Sequence, residues 1–310
     1  MTAAGAVAAP ARAAGVLWRF SRPHTIVGTA VSVAGLFAVV VSGLDGVDPG
    51  RAAFHLFWTL VAGLSVNVFI VGINQISDVE IDRVNKPFLP LAAGDLSSEK
   101  AGWIVGASAA LPVLLALTQG PLELAAVTAA LAIGAAYSLP PLRLKRYPTL
   151  ASMCVSGVRS AIVNLGVAAH FTEALSGDPG IPPAVWALTA FVLPFSLAIA
   201  IFKDVPDAEG DRRYAISTFT VRHGGRAVMR AGLAVLTVAY LWMAALGPLL
   251  VEGADPAVLS VGHLAALGLL WLAARAVDPS DRASFTAFYF RVWQLFFLEY
   301  AIVALACLAA

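Results

Sequence analysis

Charge is scarce in this sequence. Of its 310 residues, 13% are Asp, Glu, Lys or Arg, about half the quarter that ordinary water-soluble domains carry. Lys and Arg number 20 against 19 Asp and Glu, so there is no basic excess of the kind that holds nucleic acid. Low charge with high apolar content likewise excludes an intrinsically disordered chain. Cysteine is nearly absent: Cys154 and Cys307 are the only two, each inside an apolar run. That excludes a disulfide scaffold and leaves two small buried hydrophobes. The N-terminus lacks the basic-then-apolar order of a cleavable signal peptide. Residues 1–15 are Ala-rich with Arg12 as their sole charge and read as a disordered tail, ahead of a single domain over residues 16–310.

Apolar length is what the chain has. Hydrophobic residues make up 59% of it and the mean hydropathy is +0.82. A bilayer core about 30 Å thick takes roughly 20 apolar residues per helical span. Candidate spans fall near 24–44, 53–76, 101–118, 121–138, 149–171, 183–202, 228–250, 257–276 and 285–308. The expected fold is all-α, a polytopic membrane bundle of about nine transmembrane helices around a central cavity open to the cytoplasmic side. Only Gln119-Gly120-Pro121 separates the third span from the fourth, a tight helical hairpin.

The connections divide by charge. One set holds Asp45, Asp48, Glu123, Glu173, Asp178, Glu252 and Asp255 with Arg51 as its sole basic residue. The other, with the N-terminus and the span ends that adjoin it (Arg230, Arg275 and Arg291), holds every remaining Lys and Arg except Arg159, which lies well inside a span. The positive-inside rule makes the second set cytoplasmic. The N-terminus is then cytoplasmic and the C-terminus on the opposite side. The Ala- and Arg-rich composition points to a GC-rich genome and a bacterial inner membrane.

Two cytoplasmic loops carry acidic motifs. The first reads Asn74-Gln-Ile-Ser-Asp78-Val-Glu-Ile-Asp82-Arg-Val-Asn-Lys86; the second reads Lys203-Asp204-Val-Pro-Asp207-Ala-Glu-Gly-Asp211. Each contains D-x-x-x-D at the end of a span. On a helix, residues four apart share a face, so Asn74, Asp78 and Asp82 form a polar stripe, as do Asp204, Asp207 and Asp211. Like charges at that spacing repel, and a divalent cation would offset the repulsion. All-oxygen donors suit Mg²⁺, which binds a few carboxylates while its other positions go to water and phosphate. No Cys/His cluster at ligand spacing supports zinc. Lys86, Arg143, Lys145, Arg146 and Lys203 lie nearby, and carboxylates with Lys and Arg on one face suit a metal–phosphate ligand. A single D-x-x-x-D at a helix end is ordinarily a solvated terminus. Two copies, one preceded by Asn four residues earlier, argue for a site.

These motifs resemble the UbiA superfamily of intramembrane prenyltransferases, nine-helix enzymes with N-x-x-x-D-x-x-x-D and D-x-x-x-D motifs. Further stretches are similar to its homogentisate prenyltransferase branch: Phe20-Ser-Arg-Pro-His-Thr25, Asn74 to Gly94, Tyr137 to Arg146, Arg159-Ser-Ala-Ile-Val-Asn164, Lys203 to Asp211 and Phe296-Phe-Leu-Glu-Tyr300. The resemblance implies that Asn74, Asp78 and Asp82 with Asp204, Asp207 and Asp211 hold Mg²⁺ against a prenyl diphosphate of the C15–C20 class. It makes Asp78, Asp82, Asp207 and Asp211 catalytic. Lys86, Arg143 and Lys145 become diphosphate contacts, with Arg22 and Lys203 as further ones, and Tyr137 takes the family's Tyr position near the cavity floor. The implied reaction transfers the prenyl group to a small aromatic acceptor, homogentisate or a similar phenol.

Arg159, Asn164 and Glu299 are expensive at membrane depth. Arg159 is available to an acceptor carboxylate and Asn164 to its hydroxyl; interhelical polar pairing is the other reading. His24 reads as a helix-entry residue, and His55, His170, His223 and His263 as incidental or interfacial. The alternatives are a terpene cyclase of the same superfamily, and a prenyltransferase for 4-hydroxybenzoate, a naphthoate or a specialised metabolite. A transporter is a remote third, since its coupling charges belong near the midplane. Beyond the lipid bilayer and the two substrates, no nucleic acid and no obligate protein partner is expected.

Overall fold

A computed structural model describes residues 3–310, with side chains from Arg12 onward. Residues 1–15, expected to be disordered, enter a helix at Ala3: α1 (Ala3–Phe20). Alanine is the strongest helix former, and this stretch is rich in it; residues 1 and 2 lie outside the described residues. The chain continues through α2 (Pro23–Ser42), α3 (Pro49–Ser77), α4 (Val79–Asn85), α5 (Ser98–Gln119) and α6 (Pro121–Ser138). It then runs through α7 (Pro148–Gly157), a π-helical segment (Val158–Gly166), α8 (Val167–Ser176) and α9 (Pro183–Phe202). After α10 (Ala208–Arg213) and α11 (Phe219–His223) come α12 (Gly225–Leu250), α13 (Pro256–Ala274) and α14 (Arg282–Leu308).

Nine membrane-length helices stand among the described residues, counting Pro148–Ser176 as one. Their starts follow from sequence: Pro23, Pro49, Pro121, Pro148, Pro183 and Pro256 each open a helix, where a missing N–H costs nothing. Asp48, Ser97, Asp255 and Asp281 cap theirs through side-chain oxygens, each satisfying an otherwise unpaired N–H. Trp103, Leu114, Val238 and Leu249 are exposed, the outward face that lipid covers. Inside, α9 and α14 are the most enclosed spans, and Phe191, Phe195, Phe202, Tyr240, Phe285 and Phe296 fill the space between them and α12. Gly72 lets α3 approach α5: a Cβ there would lie 2.6 Å from Val105 and 2.9 Å from Phe20. Small residues serve this purpose in membrane bundles.

Both acidic motifs depart from the continuous helices that their spacing suggested. α3 stops at Ser77, Asp78 adopts φ −123°, ψ 17°, and α4 starts afresh at Val79. α9 ends at Phe202, and residues 203–207 turn before α10. Pro206 lacks the N–H that would continue the helix. In the first motif, Asp78 stands at the break with its carboxylate against Lys145 and Arg143.

Candidate active site

The acidic motifs meet at the mouth of a cavity of about 1170 Å³, enclosed mainly by α2, α3, α6, the Pro148–Ser176 span and α14. Exposed Phe88, Arg146 and Tyr214 rim it, so it opens on the motif side. Asn74 Nδ2 donates to Asp78 Oδ2 at 3.1 Å, and Arg22 Nη2 donates to Asn74 Oδ1 at 3.4 Å. Asp78 Oδ1 faces Lys145 Nζ at 2.7 Å and Arg143 Nη2 at 3.4 Å. Lys86 pairs with Asp207 of the second motif while its Nζ stands 4.0 Å from Asp82. One ammonium group thus joins the two motifs. Lys203 Nζ pairs with Asp204 Oδ1 at 2.6 Å.

Among the described residues, no three Asp, Glu, His or Cys side chains converge into a ready-made metal site; the ammonium groups stand between the carboxylates instead. The donor set still fits a hard cation. Asp82 is 5% exposed and its Oδ2 is buried with no hydrogen-bond partner, which is costly unless something positive arrives. The Lys86 ammonium shows that positive charge is held between Asp82 and Asp207.

Burial pushes the Asp82 and Asp204 carboxyls above the usual range, opposed by Lys86 and Lys203 respectively. Burial, then Asp204 and Asp207, push Asp211 up to about 7. Burial lowers Lys145 against the pull of Asp78. At Lys203 burial also opposes the charge, but the Asp204 carboxylate prevails and lifts it well above the ordinary lysine range.

Backbone strain collects at the same place. Arg22 (φ 53°), Arg143 (φ 38°) and Ala215 (φ 52°) are the non-glycine residues with positive φ among those described, and all three line the cavity. Such conformations cost about 1–3 kcal/mol each and concentrate where function requires them.

Deeper in, Arg159 lines the cavity from the π segment, a geometry that recurs at functional sites. Its guanidinium lies 4.6 Å from the Trp293 ring centre and 5.3 Å from that of Phe296, and its Nη1 has no hydrogen-bond partner. His24, in the first turn of α2, packs edge-on to Tyr289, Phe290 and Trp293. Tyr137 also lines the cavity. Asn164 does not: fully buried, it accepts a 2.7 Å hydrogen bond from the Tyr300 hydroxyl. It ties the π segment to α14, which takes up the interhelical reading rather than the acceptor one. Glu299 likewise pairs with His263 at 3.0 Å, both fully buried.

Three features escaped the reading of the sequence. Asn85, 2% exposed, accepts from the Gly210 N–H at 3.0 Å and donates to Asp211 Oδ1 at 3.4 Å. It clamps α4 to α10, and Arg282 in turn donates to its carbonyl. Trp293 fronts the Arg159 guanidinium; its position within the apolar α14 gave no sign of that. Glu123, assigned to a loop, and His170, assigned as incidental, are buried together at the far end of the cavity.

A family model, the UbiA prenyltransferase family, matches residues 21–297. The chain belongs to that family. It is 44% identical to the homogentisate phytyltransferase of Synechocystis sp., across 93% of this chain and 94% of that one. With homogentisate phytyltransferase 1 of Arabidopsis thaliana the identity is 36%, across 92% and 74%. A UbiA homologue from Archaeoglobus fulgidus, solved with DMAPP and Mg²⁺, shares the fold at TM-score 0.64 and 18% identity, across 93% of this chain and 98% of that one. A digeranylgeranylglyceryl phosphate synthase structure does so at 0.64 and 15%, across 96% and 99%. The nine-span architecture is thus the UbiA family's, and the protein is an integral membrane prenyltransferase.

Proposed function

We propose that this protein transfers a prenyl group from a prenyl diphosphate of the C15–C20 class to homogentisate or a similar phenol. The supporting observation is the meeting of two acidic motifs with Lys86, Arg143 and Lys145 at the mouth of an apolar, aromatic-walled cavity. Relatives named homogentisate phytyltransferases support the acceptor.

The diphosphate lies at the mouth and the tail in the cavity. Asn74, Asp78, Asp82, Asp204, Asp207 and Asp211 would hold Mg²⁺, which when bound neutralises charge on the diphosphate. Lys86, Arg143 and Lys145, with Arg22 and Lys203 beside them, bind its oxygens as it departs. The C1–oxygen bond breaks with both electrons leaving on diphosphate and a C1–aryl carbon bond forms; with homogentisate the carboxyl then leaves as CO₂ and the ring proton passes to the side-chain carbon, which restores aromaticity. Tyr289, Trp293 and Phe296 exclude water from the allylic cation and offer it ring faces. Arg159, with an unpartnered Nη1, anchors the acceptor carboxylate. The motif side faces the cytoplasm of a bacterial inner membrane, in keeping with its basic residues.

The test is incubation of the detergent-purified protein with Mg²⁺ and farnesyl, geranylgeranyl or phytyl diphosphate, with and without homogentisate. Mass spectrometry of organic extracts should find a prenylated quinol only when acceptor is present. A hydrocarbon or prenyl alcohol formed without acceptor, and no adduct, would replace this reading with a cyclase.

A further inference from the structure

The cavity does not end at the reaction centre. Its wall along α3 runs from Asn74 through Ile70, Asn67 and Gly63 to Thr59, ~22 Å at 1.5 Å per residue. That is comparable with an extended C20 chain. On the facing helices the lining includes Ala126, Ala130, Ile162 and Val163, small or apolar side chains suited to a hydrocarbon tail.

At the far end the character changes. Thr59, Glu123 and His170, respectively 3%, 4% and 1% exposed, all line the cavity. The Thr59 hydroxyl donates to Glu123 Oε2 at 2.7 Å, and His170 Nε2 lies 2.9 Å from the same oxygen. Glu123 Oε1 and His170 Nδ1 are buried with no hydrogen-bond partner in the structure. The His55 ring stands 5.3 Å from that of His170 behind the wall. This cluster is too far from Asp78 and Asp207 to touch a diphosphate or the reacting carbon, so it takes no part in the bond-making step.

We propose that Thr59, Glu123 and His170 form the stop that sets the length of prenyl tail the cavity accepts. A tail that ends short of the cluster gains apolar contact with each isoprene unit. A longer tail must push apart the buried Thr59–Glu123–His170 contacts to go further, which leaves those polar groups without partners against hydrocarbon and is unfavourable. Specificity then comes from a repulsive element rather than from better contacts with the preferred donor. The inference rests on the donor assignment made above, and its test is built on donor binding without acceptor so that the two can fail separately.

The experiment is competition of C10, C15, C20, C30 and C45 prenyl diphosphates against radiolabelled geranylgeranyl diphosphate, with Mg²⁺ and no acceptor. Wild-type affinity should rise to C20 and fall at least tenfold at C30. The triple variant Thr59→Val/Glu123→Leu/His170→Leu removes all three polar partners together, so none is left alone. It should raise C30 affinity relative to C20 by tenfold or more. Ala126→Leu, which plugs the shaft above the cluster, should instead move the optimum from C20 to C10 or C15, and it decides the matter if the triple variant elutes as aggregate. A length profile unchanged in the variants, or wild-type protein that binds C45 as tightly as C20, would overturn the stop while leaving the donor assignment standing. Failure of every diphosphate to compete would overturn both.

Discussion

Asp78 and Asp207 each face a basic side chain, and each reaches the cavity from a break between helices. Either change, Asp78→Ala or Asp207→Ala, should cost at least about 10²–10³ in turnover, the scale of losing an electrostatic group aimed at developing charge. Both variants should elute from size exclusion as wild type does; near-normal turnover in either would remove it from the site. Asp211, lifted to about 7 by burial and then by Asp204 and Asp207, is protonated below that pH, and a metal must then displace the proton. Mg²⁺ affinity measured by calorimetry should therefore weaken from pH 8 to pH 6, and a flat profile would argue against Asp211 as a ligand. Arg159→Ala should raise the KM for homogentisate about tenfold or more, as expected for a lost charged hydrogen bond, with less effect on a phenol lacking the carboxylate. The D-x-x-x-D spacing was legible because it is local. Glu123 and His170 were not, because nothing in two distant apolar runs marks them as neighbours, and Asn164 misled because a polar residue at membrane depth looks alike whether it faces a cavity or Tyr300.

Between elements, the decisive joint is α4 against α10. Asn85 bonds across it, Gly210 has no room for a Cβ beside the Asn85 amide, and Tyr214 donates to the Glu80 carbonyl at 3.1 Å. Asn85→Ala should lower kcat at least about tenfold, since small displacements of catalytic groups carry penalties of that order or greater. Gly210→Ala should do the same by prising α10 from α4; the check is kcat alongside the melting temperature of each purified variant. The helices themselves were readable from apolar length and from the prolines that open them. The interruption at Asp78 was not, because periodicity describes the helix and is silent about where it breaks; the one through 203–207 was marked by Pro206, which the D-x-x-x-D spacing overrode in the reading. The π segment was equally hidden: Val158–Gly166 reads as ordinary helix, and its extra width becomes evident only from its hydrogen bonds.

For the whole molecule, the span count follows from counting apolar length, while the proposed sidedness rests on the charge of the loops. Sidedness has a direct test. In a background with Cys154 and Cys307 replaced by Ala, Asp178→Cys should react with a membrane-impermeant maleimide in intact cells, whereas Lys100→Cys should react only after lysis; the reverse pattern would invert the topology. The cavity escaped the sequence because its wall is assembled from one face of each of several helices, and no single helix announces it. Its depth has a cost outside chemistry. Glu123 lies in the first turn of α6, so the hollow that begins at the acidic motifs stops within about one helical turn, ~5 Å, of the opposite end of that helix. A hollow of that reach is most of a channel. The plug we propose at Thr59, Glu123 and His170 therefore also has to keep the bilayer from leaking protons and ions, a duty that falls on it whether or not substrate is bound.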